Sequence, residues 1–465
     1  MIAKGATMGA TTHSHKEHAT AIAPFHSSFF ESLHKEQWKE VRLGEVSEIN
    51  PLESIKKNTI AKKVSMDNLE PFNKKIYSFN VESFKGGSKF KNGDTLLARI
   101  TPCLENGKTA FVDFLENNEI AFGSTEFIVL RKKENISDKH FLYYLARSEN
   151  FRETAIKSMT GSSGRERVQI EVIKDYEFPL PPLKVQQQIA EILSSFDDKI
   201  DLLHRQNKTL ESLALTLFRH TFIDNPKNPN APCHSRQACN CYSEPVLAGE
   251  ESIDTKSHRD ISASPQYDKE KILIARKNTP PNNEQHNGGA TLVAHNEHWK
   301  MGKLGDYITP KKGKNITQKN AIKGIYPVIA GGLEPAYYHN QSNTESPVIT
   351  ISASGANAGF VNIHYRPVWS SDSSYIDKTI TPYVYFFYLF LKMNQNILYD
   401  KQEGSAQPHI YPSHIMELEM PHYPRDLIET FETQIQIYFD KISHNMKEIL
   451  NLESMRDMLL QKFLE

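Results

Sequence analysis

The sequence predicts an α+β fold: two mixed α/β globular domains, each followed by a long helix, with the helices pairing as an intramolecular antiparallel coiled coil in a pseudo-twofold repeat. Three observations predict it. The chain repeats itself, a proline stop closes each globular part, and seven-residue apolar spacing follows each stop.

The repeat opens with "WKEVRLGEVSEI", Trp38 to Ile49, and "WKMGKLGDYI", Trp299 to Ile308, where Trp-Lys and Leu-Gly-acid recur in register. Further on, Phe178-Pro179 and Pro182 correspond to Met420-Pro421 and Pro424. "FDDKI" at Phe196 corresponds to "YFDKI" at Tyr438, and "LESL" at Leu210 to "LESM" at Leu452. One constant offset carries these later matches. The helices stay alike while the globular parts diverge, as a shared scaffold with two different heads requires.

This divides the chain into residues 1–37, a His/Ser/Thr-rich tail expected to be disordered; 38–182, the first domain; and 183–223, the first helix. Residues 224–297 follow, a linker or insertion rich in Pro, Asn, Ser and Gly; then 298–424, the second domain, and 425–465, the second helix. Within the domains, "DTLLARI", "EFIVLR", "SPVITIS" and "GFVNIHY" are short strands bounded by turn residues. "DKHFLYYLARSENF" and "PYVYFFYLFLKM" are helices lying on those sheets. The run "YVYFFYLFL" is far short of the roughly 20 residues needed to cross a bilayer, so it is expected to be buried and no membrane partner is expected.

In the first long helix Ile189, Phe196, Leu203, Leu210 and Leu217 fall seven apart, with Ile200 on a second line beside them. In the second, Phe431, Tyr438, Leu452 and Leu459 are flanked by Ile435, Ile442 and Ile449. Such heptads form a coiled-coil seam, and the polar interruptions at Gln206/Asn207 and Asn445 fix its register. Packing of each helix onto its own domain is the rival arrangement. Pro179, Pro181 and Pro182 bar helix before the seam, so the rod starts at a fixed point relative to its domain. Roughly 40 residues at about 1.5 Å each make a rod of about 60 Å.

Lys and Arg number 55 against 56 Asp and Glu, so bulk charge favours neither nucleic acid nor membrane, and DNA binding must rest on local patches. Four cysteines, Cys103, Cys233, Cys239 and Cys241, are too few for a disulfide framework. "PCHSRQACNC" brings Cys233, His234, Cys239 and Cys241 together but lacks the paired C-x₂-C spacing of structural zinc sites, so no metal is expected. The first 20 residues hold no apolar stretch of the signal-peptide kind, and a cytoplasmic location is expected.

The segment "LPPLKVQQQIAEILSSFDDKIDLLHRQNKTLESLALTLFRHTF" resembles the helical region of the DNA-specificity (S) subunits of type I restriction–modification systems. "WKEVRLGEV" and "WKMGKLGDY" resemble the start of their target recognition domains; "GDTLLARITPCLENGKTAFV" and "ITISASGANAGFV" resemble the interior. The resemblance covers most of the chain outside the tail and linker. It implies that each recognition domain reads one half of a bipartite double-stranded DNA target and that the helices set the gap. It also implies docking of two methyltransferase (M) subunits, with restriction (R) subunits joining them. The stretch 224–297 departs from the family's compact connection, although a longer flexible linker adds little entropic cost.

DNA contact is expected from loops carrying basic, amide and aromatic side chains. In the first domain the candidates are Lys85, Lys89, Lys91, Arg99, Lys108, Arg165 and Arg167; in the second, Lys311, Lys312, Lys314, Tyr337, Tyr338, Gln407 and His409. The loops at Gly161–Arg167 and Gly404–His409 stand out, because both repeats place polar side chains there. Neither the Gly-rich turn nor the Asn/Asp-Pro-Pro-aromatic motif of an adenine methyltransferase occurs. "SASGANAG", Ser352 to Gly359, lacks the Lys-Ser/Thr of a phosphate loop and is expected to be a tight turn between strands. The chain is therefore expected to be non-catalytic and without cofactor; the resemblance implies that S-adenosylmethionine, Mg and ATP are used by partner subunits. Two other readings remain open: the specificity partner of a fused methyltransferase–nuclease, and a coiled-coil scaffold whose heads bind protein.

Overall fold

In a computed structural model of the chain, the described residues are 38–225, 227–229, 298–404 and 408–464. The tail 1–37, nearly all of the linker, its cysteine–histidine cluster and Gln407 lie outside them. Two compact units divide the chain, one running to Glu211 and resuming at Tyr438, the other being Ser212–Ile437.

In the first unit the Trp-Lys motif and the proline stop are partners. Strand β1 (Lys39–Arg42) runs antiparallel to β10 (Glu177–Leu180), with Lys39 opposite Leu180 and Glu40 opposite Pro179. A two-stranded ribbon tolerates the missing Pro N–H. Between them lie two four-stranded sheets. One has the order β2 (Ser47–Ile49), β9 (Phe127–Lys132), β6 (Thr95–Ala98), β7 (Thr109–Phe111); the other has β4 (Asn80–Ser83), β3 (Ile60–Val64), β8 (Ala121–Gly123), β5 (Ser88–Phe90). Strand periodicity sorts the core into two clusters. Leu96, Ala110 and Val129 join Val64 and Phe90. Their neighbours Leu97, Phe111, Ile128 and Leu130 face helix residues Phe141 to Ala146 instead. Helix α1 (Leu43–Val46) precedes β2, and α2 (Lys139–Arg147), α3 (Glu149–Lys157) and α4 (Ile170–Lys174) follow β9. Asp138 caps α2, its carboxylate accepting from the amides of His140 and Phe141 at 2.9 Å.

The second unit repeats this plan. Strand β11 (Met301–Lys303) pairs with β19 (Glu419–Pro421). A four-stranded sheet has the order β12 (Lys311–Lys312), β18 (Ser373–Asp377), β15 (Val348–Ser352), β16 (Val361–His364). Beside it, β14 (Tyr337–His339), β13 (Tyr326–Ile329) and β17 (Trp369–Ser370) match β4, β3 and β8, including the parallel central pair. The apolar run is helix α6 (Val384–Met393), buried throughout from Val384 to Leu391. Among the described residues no helix is long and apolar enough to cross a membrane. Helices α7 (Gln395–Asp400) and α8 (Pro412–Met416) complete the domain.

The long helices are α5 (Leu183–Phe218) and α9 (Arg425–Leu464). They pair antiparallel. In the first unit Ile189 and Leu193 share a core with Leu460 and Phe463, while Ile200 and Leu203 pack on Ile449 and Leu452. In the second unit Phe218 of α5 meets Phe431 of α9 at 5.7 Å between ring centroids. Each helix also lies on its own domain, so the two arrangements weighed from sequence coexist: Phe196 packs into the first-domain core, and Phe431 stands 6.4 Å from Phe386. Ile435 and Ile442 are buried; Leu210 is half-buried.

At three seam positions the buried residue is the next one along. Phe218, Phe439 and Leu460 are buried, while Leu217, Tyr438 and Leu459 are half-buried. At Phe218 and Leu460 the reason is helical pitch: about 3.6 residues per turn drifts by roughly 20° per heptad against a strict repeat of seven, so about four heptads past Ile189 and Phe431 the stripe has moved by nearly one residue.

The polar interruption sits where expected. Asn445, fully buried, donates from Nδ2 to Oδ1 of Asn207 at 2.8 Å. Asn207 Nδ2 and Asn445 Oδ1 have no partner, so the pair is half satisfied. Replacing both with leucine is therefore expected to raise the midpoint of thermal unfolding while relaxing register and self-association. Calorimetry and light scattering together check this; an unchanged or lower midpoint counts against it.

Each junction is pinned by one side chain. Gln186 at the start of α5 is fully buried; its Nε2 donates to the carbonyls of Pro181 at 2.8 Å and Ile136 at 3.1 Å, and its Oε1 accepts from Asp138 N–H at 2.9 Å. In the second unit Glu432 caps α6, accepting from the amides of Tyr385 at 3.0 Å and Phe386 at 2.7 Å. Burial outweighs both bonds and pushes the Glu432 carboxyl up to about 7. Because this value exceeds that of an unfolded glutamate, Glu432 favours folding most below pH ~4.5, and the gain is lost as pH rises through about 7. At about 1.4 kcal/mol per pH unit the effect is on the order of 3 kcal/mol. His140 and His364, both lowered to about 4 by burial, act in the opposite sense across part of this range. The expected result is therefore a difference: Glu432→Gln loses less stability than the parent between pH 5 and 8, measured by urea unfolding at each pH.

Candidate nucleic-acid interface

In both units the loop before the last short helix is stitched to the loop after the central strand by the same backbone bonds. In the first, Thr160 and Arg167 form a bridge, Val168 N–H donates to Arg99 O, Thr101 N–H to Glu166 O, and Arg99 N–H to Glu126 O. In the second, Glu403 and His409 form the bridge, Ile410 N–H donates to Ala353 O, Gly355 N–H to Pro408 O, and Ala353 N–H to Asp372 O. Arg167 and His409 thus occupy one position of a common frame, and Glu126 and Asp372 another. The first loop can close because Gly161 and Gly164 adopt φ of 140° and 76°, where a side chain would be strained.

The frame brings together several candidates from the first domain. Arg99 donates from Nε to Val168 O at 3.2 Å. Arg165 is exposed, and no side-chain bond to another described residue is found for it. Arg167 meets Glu126 through Nε at 3.0 Å and Nη2 at 2.7 Å. Lys108 joins through its backbone, since its carbonyl accepts from Ala98, but its Nζ turns to Met66 O at 3.0 Å. Lys85 lies in the loop after β4 and Lys89 on β5, the two edge strands of their sheet; Lys85 is exposed, and Lys89 Nζ lies 5.6 Å from the centre of the Phe84 ring. Lys91 is spoken for, 3.5 Å from Glu53, a carboxylate that also takes Arg131 at 2.6 Å.

In the second domain His409 stacks on Tyr411, 6.1 Å between ring centroids. Lys311, Lys312 and Lys314 lie on and after β12, all exposed; Lys311 Nζ reaches Thr379 Oγ1 at 3.2 Å. Of the tyrosines, Tyr338 is exposed under the Arg366 guanidinium at 5.8 Å. Tyr337 instead gives its hydroxyl to the Ile316 carbonyl, a bond that anchors β14 rather than leaving a free reader. "SASGANAG" forms the tight β15–β16 turn, Gly359 N–H donating to Ser352 O at 2.8 Å.

The acids Glu126 and Asp372 were not among the candidates. A signal for them exists: Ser124-Thr125-Glu126 and Ser370-Ser371-Asp372 both place two hydroxyls and an acid just before β9 and β18. In the second domain Asp372 accepts a hydrogen bond from the Ser354 hydroxyl. Among the described residues no group of His, Cys, Asp and Glu is arranged to hold a metal ion.

Two domains alike in strand order and loop frame, but unlike in the side chains they present, define an internally duplicated protein. The chain belongs to the type I restriction–modification DNA specificity family, whose model matches residues 35–212 and 296–443. It is similar to the HindI specificity subunit of Haemophilus influenzae, 26% identical across 92% of this chain and 98% of that protein. It is 31% identical to the EcoAI specificity subunit of Escherichia coli over 37% of this chain; that match spans 30% of the EcoAI subunit. A solved S subunit from M. genitalium aligns over 92% of this chain and 96% of its own, with 17% identity and a TM-score of 0.47.

Proposed function

We propose that the chain is the sequence-specific DNA-binding subunit of a type I restriction–modification complex, each domain reading one half of a bipartite target. The observation that carries this is the shared loop frame: Arg167 and His409 stand at one position on the same scaffold, with different chemistry. Two readers of unlike specificity need such an arrangement. The paired helices set the gap between half-sites and dock two methyltransferase subunits, which restriction subunits join. Catalysis, with S-adenosylmethionine, Mg and ATP, belongs to those partners, and the chain works in the cytoplasm. The names of the relatives, specificity subunits of type I restriction enzymes, support this assignment.

The test is the methylated motif in cells expressing this chain with its methyltransferase partner. A split motif with a fixed gap is the expected result. Methylation at a continuous motif, or none that depends on this chain, overturns the reading.

A further inference from the structure

We propose that Arg167 reads a guanine and that Glu126 is the positioning residue that aims it, an inference that rests on the DNA-reading assignment above. Glu126 engages the side edge of the guanidinium, through Nε at 3.0 Å and Nη2 at 2.7 Å. Nη1 has only a 3.4 Å contact, to Arg165 O, longer than an ordinary N–H···O bond. The end edge, one N–H from each terminal nitrogen, is therefore left to donate. That is the donor pair that matches O6 and N7 of guanine in the major groove.

Charge separates a base from a phosphate as the target. A guanidinium clamped by a carboxylate is close to neutral as a unit, so its pull on a phosphate is largely cancelled, and Glu126 repels the phosphate directly. A neutral base edge suffers no such penalty and keeps the directional donors. The clamp also holds the fork still, so little side-chain freedom is lost on binding. Exposure fits these roles: the Arg167 side chain is 43% exposed and Glu126, behind it, 23%. Arg165, exposed two residues away, is the cation suited to a phosphate. In the second unit the same frame carries Asp372 at the acid position and His409 at the reader position. A residue that changes while its frame stays is what a specificity position requires.

The experiment uses the full chain assembled with its methyltransferase partner and selects bound duplexes from a random-sequence pool. In Arg167→Ala, preference for guanine at one position of one half-site is expected to fall about 10- to 100-fold, with the other half unchanged. Arg167→Lys keeps the charge but not the fork, and is expected to lose the same preference. Glu126→Gln leaves Arg167 in place and is expected to weaken preference at that position alone. Equal weakening on all sequences in Arg167→Ala, with a shallower salt dependence, marks a phosphate contact and overturns the proposal while leaving the split motif intact. Unchanged base preference in Glu126→Gln removes Glu126 from its role. A parent complex that selects no split motif overturns this inference and the assigned function together.

Discussion

Replacing Arg456 with alanine is expected to destabilise the first unit by roughly 3–5 kcal/mol, the range for breaking a buried ion pair from one side. Arg456 and Asp197 are both buried, come from α9 and α5, and meet at 2.7 Å. The loss would not stop at that bond. Asp197 also accepts from the Tyr144 hydroxyl at 2.6 Å, and Arg147 stands 3.9 Å away with its Nη1 otherwise unpartnered. Remove Arg456 and a carboxylate remains in the core with a reduced set of donors, a state that water cannot relieve. The surface pair on the same two helices supplies the control. Lys199 and Glu448 are 3.4 Å apart but well exposed, so Lys199→Ala should change stability by about 1 kcal/mol or less. Urea unfolding of both variants, followed by far-UV circular dichroism, makes the comparison. A change of about 1 kcal/mol or less in Arg456→Ala would show that the pair merely replaces what apolar residues would do as well.

This pair also marks where sequence reasoning stops. The seam was legible because apolar spacing is a local property: Ile189, Ile200, Leu203 and Ile449 announce a buried stripe without knowledge of a partner. Asp197 and Arg456 carry no such signal. Charged residues on a helix ordinarily mark the wet face, and their partners here are 259 residues apart in the chain. Gln186 and Glu432 were hidden for the same reason, since each is defined by the backbone groups it satisfies. The strands were readable from β-branched runs, and the loops from Gly161 and Gly404. Which loop side chains are free was not readable. Arg167 and Lys91 looked alike as cations, yet Glu126 takes only one edge of the Arg167 guanidinium, while Lys91 shares Glu53 with Arg131. That distinction depends on where strands bring acids: the pairing of β6 with β9 is what sets Glu126 beside Arg99 and the loop that carries Arg167.

Lengthening both helices by one heptad beside Asn207 and Asn445 is expected to widen the gap in the recognised motif by about three base pairs, since seven residues add about 10.5 Å and base pairs stack at about 3.4 Å. Seven is the insertion that keeps the seam intact. It preserves the apolar stripe and the Asn207–Asn445 contact, whereas three or four residues would over- or underwind the pair. The duplex does not share that period. Three base pairs turn the second half-site by about 100° at roughly 10.5 base pairs per turn. The heptad leaves the second head facing as before, so the longer target must twist to meet it. Weaker binding is thus expected alongside the wider gap, and DNA deformability should make the loss depend on gap sequence. Neither half-site should change, because the inserted residues touch neither loop frame. Methylome sequencing of cells carrying the lengthened chain reads all three outcomes. An altered half-site, or an unaltered gap, would mean that the helices do not measure the target.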